Sequence, residues 1–195
     1  MKICHRVNRI SFLEQLYSKY DGVETDVMYD SNMRLVLCHD HDQRDNPEND
    51  TFQDLIDFKA PLRIILAIKV AGVGDTPKTI ANDIYIAIKG SKHIWDLCSF
   101  NRICVEKLLD VNNGIHKVGL ITCSVDAILN ADFISIDREI VDADLIKEFK
   151  SRGLKVYIWG IKETPKLHAD AYIISNSGRL GSSGLPNISQ SIQPV

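Results

Sequence analysis

Strand-like and helix-like segments alternate along almost all of this 195-residue chain. That alternation limits the fold more than any single motif. The short apolar runs "KICH", "GVETDVMYD", "RIILAIKV", "IWDLCSF", "KVGLIT", "DFISI", "KVYIWGI" and "AYIIS" each read as a strand. Between most of them lie stretches of helical period. "SFLEQLYSKY" presents Leu13, Leu16, Tyr17 and Tyr20 on one face, with Ser11 and Glu14 spaced as a capping box. "TFQDLIDF" and "NRICVEKLLDV" read as helices. Thr76-Pro77 opens another helix that Gly90 closes, and Asp142 caps one that ends at Gly153. "RLVLCH" returns beside the second strand after a turn at Ser31-Asn32, as a hairpin excursion.

Strand–helix alternation implies a parallel sheet with right-handed crossovers. Setting the excursion aside leaves eight strands, the number that closes a (β/α)8 TIM barrel. The chain is short for such a barrel, so some helices are expected to be reduced to loops, notably at 124–130 and 162–168. An open doubly wound sheet is the alternative, but no glycine-rich phosphate loop supports it. Residues 1–176 are expected to form a single domain, followed by an aperiodic, irregular tail over 177–195.

Composition excludes several classes. Hydrophobic residues make up 45% of the chain, enough for one sizeable core, and the net charge of −3 offers no basic field for nucleic acid. No apolar run is long enough to span a bilayer, and the start "MKICHR" lacks the apolar core of a signal peptide. Five cysteines without tight spacing suggest neither a disulfide framework nor a zinc site, and place the protein in a reducing cytoplasm. The oligomeric state is left open.

Polar residues at the C-terminal ends of barrel strands face the active-site mouth. His5 and Arg6 end the first strand, Glu24 and Asp26 the second, His39, Asp40, His41 and Asp42 the excursion and Lys69 the third. Glu24 and Asp26 are two apart on a strand, so they share a face. Paired carboxylates call for a cation between them, and oxygen ligands suit Mg2+ or Ca2+. Two nearby histidines could exchange protons near neutral pH. Arg6 and Lys69 could neutralise a phosphate. Each residue alone has a plainer reading as a solvated face, an exposed loop or a surface lysine. The ordered set carries the specificity, and it fits metal-assisted phosphodiester cleavage.

On these residues the chain resembles the glycerophosphodiester phosphodiesterase family. The resemblance rests on "HR", on "GVETDVMYDSNMRLVLCHD" and on the x-I-K of the third strand, and is strongest over residues 4–40. It resumes at "VDADLIKEFKSRGLKVYIWGI". It implies a phosphatidylinositol-phospholipase-like TIM barrel acting on a small phosphodiester. It implies His5 and His39 as the acid/base pair and Glu24 and Asp26 as ligands of a divalent cation. Arg6 and Lys69 would then lie at the phosphate, and Trp159 would line the pocket. In such enzymes a neighbouring substrate hydroxyl often attacks phosphorus, giving a cyclic intermediate.

Three departures stand out. Val7 follows His-Arg where the family has glycine. The last strand ends in "ISN" instead of threonine-aspartate. Ala67 stands where the family has a carboxylate as third metal ligand. If Cys98 points outward as Cys4 and Cys38 do, Asp96 faces away from the mouth, which makes it, like Asp137, a weak replacement. The segment from His41 to Pro61 is too short for a capping subdomain, so the mouth should be open. Besides a hydrolase, a barrel that binds a phosphorylated ligand without turnover fits the same residues, as does a lyase that stops at the cyclic phosphate.

Overall fold

The computed structural model describes residues 1–70, 76–124, 130–162 and 166–175. The expected loop at 124–130 falls largely outside the described residues, that at 162–168 only in part, and the expected irregular tail lies wholly outside them. The strands are β1 (Lys2–Cys4), β2 (Gly22–Tyr29), β3 (Leu35–Leu37), β4 (Arg63–Ile68), β5 (Ile94–Ser99), β6 (Lys117–Thr122), β7 (Phe133–Asp137), β8 (Lys155–Ile161) and β9 (Ala171–Ile174). The helices are α1 (Ile10–Leu16), α2 (Phe52–Asp57), α3 (Pro77–Ile88), α4 (Arg102–Val111) and α5 (Ala143–Ser151). No helix among the described residues is long and apolar enough to cross a membrane.

The sheet runs β1-β9-β8-β7-β6-β5-β4-β2, and a parallel β1–β2 pairing closes it. Every barrel pairing is parallel, and β3 lies antiparallel on β2 as the expected excursion. The result is the closed eight-stranded barrel that alternation implies.

Strand parity divides the core into two layers. On β4, Ile64, Leu66 and Ile68 pack outward with α1–α4, while Ile65 and Ala67 point into the barrel. On β2, Val23 and Val27 pack outward, leaving Glu24 and Asp26 to the inside. Phe133 and Tyr157 stack inside the barrel, 4.4 Å apart, and Gly119 leaves room for the Phe133 ring. On the far side, α5 covers β7 and β8 with Ile146 and Phe149.

Two local expectations require correction. Ser11 does not cap α1, whose N-cap is Arg9 with no side-chain bond. The Asp50 carboxylate instead accepts from Ile10 N at 2.7 Å, so a distant loop satisfies this helix start. Cys98 points into the barrel beside Ala67, not outward. Asp96 therefore faces inward as well, but toward the end of the barrel away from the mouth. There Arg63 Nη1 donates to its two oxygens at 3.0 and 3.2 Å, and the Tyr157 hydroxyl donates at 3.0 Å. The caps expected at Thr76 and Asp142 hold, their side chains accepting from the first turns of α3 and α5, and Asn101 caps α4 in the same way.

Candidate active site

The site begins where β1 ends. His5 N still bonds Ile174 O at 3.0 Å, which holds the imidazole at the barrel mouth with Nδ1 3.0 Å from Ser175 Oγ. Burial, and then the charge of Arg6, push the His5 pKa down to about 4. Arg6 takes a left-handed backbone with φ 55°. For a residue with a side chain this costs about 1–2 kcal/mol. The turn aims Arg6 N at Glu24 Oε2, 2.8 Å away. Val7 N then donates to Glu24 O at 2.8 Å, and the Val7 side chain is buried in the outer core. With Val7 in place of glycine, the strained position is thus Arg6, and valine serves as packing.

Glu24 and Asp26 lie one above the other on the inner face of β2. Burial and the neighbouring Asp26 charge push the Glu24 pKa up to about 8. Asn8 is built around Asp26. Its amide donates to Asp26 Oδ2 at 3.0 Å, while its carbonyl accepts from Asp26 N at 2.8 Å and from the Thr25 hydroxyl at 2.9 Å. The other oxygen, Asp26 Oδ1, meets Lys69 Nζ at 3.1 Å. Lys69 follows β4, anchored by its N–H on Val27 O at 2.9 Å, and its ammonium stands 5.3 Å from the Phe100 ring centroid. Phe100 packs edge-on to Trp159 at 6.2 Å. Trp159 sits beside an irregularity in the β8–β9 register, where Gly160 adopts φ 75°.

His39 arrives from the excursion. Cys38 N donates to Asp26 O at 3.1 Å, which carries the following histidine over the carboxylates. Arg6 Nη2 lies 2.7 Å from His39 Nε2, and His39 Nδ1 lies 2.6 Å from Asp40 Oδ1. A guanidinium can only donate, so Nε2 carries the lone pair and Nδ1 donates its proton to Asp40.

His5, Arg6, Glu24, Asp26, His39, Lys69 and Trp159, all singled out in the sequence, line one cavity of about 150 Å3 at the mouth. Ala67 and Cys98 form part of its floor. Asp137 is not among its lining residues; its Oδ1 accepts from Glu139 N at 2.9 Å. Sequence reasoning placed Asp40 at the mouth with His39 but missed Asn8, Phe100 and Ser175. For Phe100 a signal existed, since an aromatic directly after a barrel strand lies at the mouth. Asn8 and Ser175 gain their roles from long-range pairing that no local pattern shows.

The carboxylates offer oxygen donors of the kind Mg2+ and Ca2+ take. Among the described residues, however, no three His, Cys, Asp or Glu side chains form a group able to hold a metal. Asp26 and Ala67 are direct register partners on β2 and β4, so a side chain at 67 lies beside the Asp26 carboxylate. Alanine supplies no ligand there. The donor set fits a cation held by two carboxylates that draws its remaining ligands from water and a substrate phosphate, a common arrangement for Mg2+.

No family model and no curated protein matches this sequence. Solved structures do match. A glycerophosphodiester phosphodiesterase from Parabacteroides distasonis is 18% identical, with a TM-score of 0.74 over 89% of this chain and 91% of that one. A phosphodiesterase from Oleispira antarctica, solved with the product sn-glycerol-3-phosphate, is 14% identical, with a TM-score of 0.74 over 90% and 92%. The glycerophosphodiester phosphodiesterase of Thermotoga maritima is 15% identical, with a TM-score of 0.68 over 89% and 93%. The chain has the fold of the glycerophosphodiester phosphodiesterases. Within that fold, the cavity lies at the strand C-termini, where barrel enzymes carry their chemistry.

Proposed function

We propose that this protein is a phosphodiester hydrolase of the glycerophosphodiester phosphodiesterase type. One observation carries the reading: two histidines, two carboxylates, an arginine and a lysine from four separate chain segments converge on a single cavity. Arg6 and Lys69 bind the non-bridging phosphate oxygens and set the phosphorus between the histidines. His5 and His39 form the acid/base pair. One takes the proton of the attacking hydroxyl or water, and the other returns a proton to the departing alcohol. Asp40 holds His39 in the tautomer whose Nε2 faces the cavity. Trp159 and Phe100 give the alcohol part an apolar wall. A magnesium or calcium ion held by Glu24 and Asp26 would supply further neutralisation of the phosphoryl charge. The excursion is short and the mouth open, which suits an exposed phosphodiester. All five cysteines are free, in keeping with a cytoplasmic setting.

The test is hydrolysis of glycerophosphodiesters and of an aryl phosphodiester by purified protein with Mg2+, Ca2+ or Mn2+. His5→Ala and His39→Ala should each lower kcat by about 100-fold or more. Activity unchanged in both variants would defeat the mechanism. Product analysis by phosphorus NMR distinguishes a hydrolase from a lyase that stops at the cyclic phosphate. Ala67 favours a second reading, a barrel that binds phosphorylated ligands without turnover. Glycerol 3-phosphate binding with no turnover under any cation supports that reading, and metal-dependent hydrolysis excludes it.

A further inference from the structure

Both Asp26 oxygens have a partner before any ligand arrives: Lys69 Nζ is 3.1 Å from Oδ1 and Asn8 donates to Oδ2 at 3.0 Å. Glu24 Oε2 is likewise taken, by Arg6 N at 2.8 Å. The register partner of Asp26 is Ala67, so no third carboxylate meets the pair. Lys69 Nζ stands at Asp26 and the Arg6 guanidinium at His39 on the same cavity, so two positive groups already face the pair. A divalent cation entering this cavity alone must displace an ammonium from a buried carboxylate and meet two fixed positive groups, with no further anionic ligand in return. A phosphate monoester or diester changes that balance. Its oxygens give Lys69 a new anionic acceptor, free Asp26 Oδ1 and supply the missing oxygen ligand to the ion.

We infer that this protein captures its divalent cation conditionally, with the ligand's phosphate as third anionic donor and Lys69 holding Asp26 until that phosphate arrives. The inference rests on the proposed phosphodiesterase reading of the site. It makes cation and phosphate binding mutually dependent, and such coupling is reciprocal by thermodynamic necessity.

The experiment is calorimetric titration of the full chain with Mn2+, with and without saturating glycerol 3-phosphate, and the reverse titration. In the wild type, glycerol 3-phosphate should tighten Mn2+ by about tenfold or more, and Mn2+ should tighten glycerol 3-phosphate by the same factor. Ala67→Glu should bind Mn2+ without phosphate and lose most of the coupling. Lys69→Gln, which makes no demand on space in the barrel, should also raise the affinity for Mn2+ alone and shrink the coupling. Circular dichroism checks that each variant is folded. Equal wild-type Mn2+ affinity with and without glycerol 3-phosphate overturns the conditional capture and leaves the cation site standing. Absence of Mn2+ binding in both titrations overturns the capture and the cation together.

Discussion

The Arg6 guanidinium donates to His39 Nε2 across 2.7 Å, covering the lone pair that His39 would use as a base. The same Arg6 sends its backbone N–H to Glu24, so one residue touches both the proton-transfer group and the carboxylate pair. A phosphodiester that draws the guanidinium to its own oxygens uncovers Nε2 as it binds. Arg6→Met should therefore lose the charged contact to phosphate, worth about 1.5–3 kcal/mol, or roughly ten- to hundredfold in kcat/KM. Lysine should restore little, because an ammonium cannot span both positions in a planar fork. Steady-state kinetics on an aryl phosphodiester measures this. An Arg6→Met enzyme with wild-type kcat/KM would remove Arg6 from the phosphate site.

Asn8 makes a different prediction, because its amide bonds to three groups on β2. Asn8→Ala leaves the Asp26 N–H and the Thr25 hydroxyl without their acceptor inside the fold. The expected loss is about 1–3 kcal/mol of stability in urea unfolding. It should also release Asp26 Oδ2, so phosphodiesterase activity should fall further than stability alone explains. A variant with unchanged urea midpoint would mean that water replaces the amide without cost.

The barrel and most of the cavity were legible because they depend on local patterns. Period-two alternation places Glu24 and Asp26 on one face whatever the rest of the chain does, and a strand end locates His5 and Lys69 at the mouth. β5 was not legible. Both its faces are buried, so "DLCS" shows no polar–apolar alternation, and the parity of Cys98 could not be read from its neighbours. The α1 cap failed for a related reason: Ser11 matches a local motif, but the group that reaches the helix start is Asp50, forty residues away in sequence. Asn8 belongs with these cases, its role existing only once β1 and β2 pair.

Asp30 provides a pH dependence remote from the catalytic residues. Burial raises its carboxyl pKa, but bonds from Arg34 N, Arg34 Nε and Asn32 N, at 2.8, 2.6 and 2.9 Å, outweigh burial and hold it below the ordinary value. A folded-state pKa below the unfolded one means stability that is present above the unfolded pKa and lost as pH falls through the folded pKa. Wild type should therefore exceed Asp30→Asn in stability at neutral pH. The gap should close below about pH 4, the ordinary aspartate range. Urea midpoints measured across pH 3–7 test this, and a gap that is constant across the range would assign the effect to packing.

Asp96 faces the barrel interior, yet its geometry argues against a role at the cation. Its partners are Arg63 and Tyr157, and it is not among the residues that line the cavity. Burial and the Asp96 charge push the Tyr157 pKa up, so the hydroxyl stays protonated as a donor. The carboxylate is 1% exposed, and removing its cation would strand a buried charge. Arg63→Met should cost about 3 kcal/mol in urea unfolding. Much of that loss should return in the Arg63→Met/Asp96→Leu double variant, which buries no unpaired charge. Asp96→Asn should lower stability while leaving Mn2+ affinity at the wild-type value, in contrast to Glu24→Gln, which should reduce it. An Asp96→Asn protein that loses Mn2+ as Glu24→Gln does would place Asp96 in the cation shell, and the role of Ala67 would have to be drawn again from there.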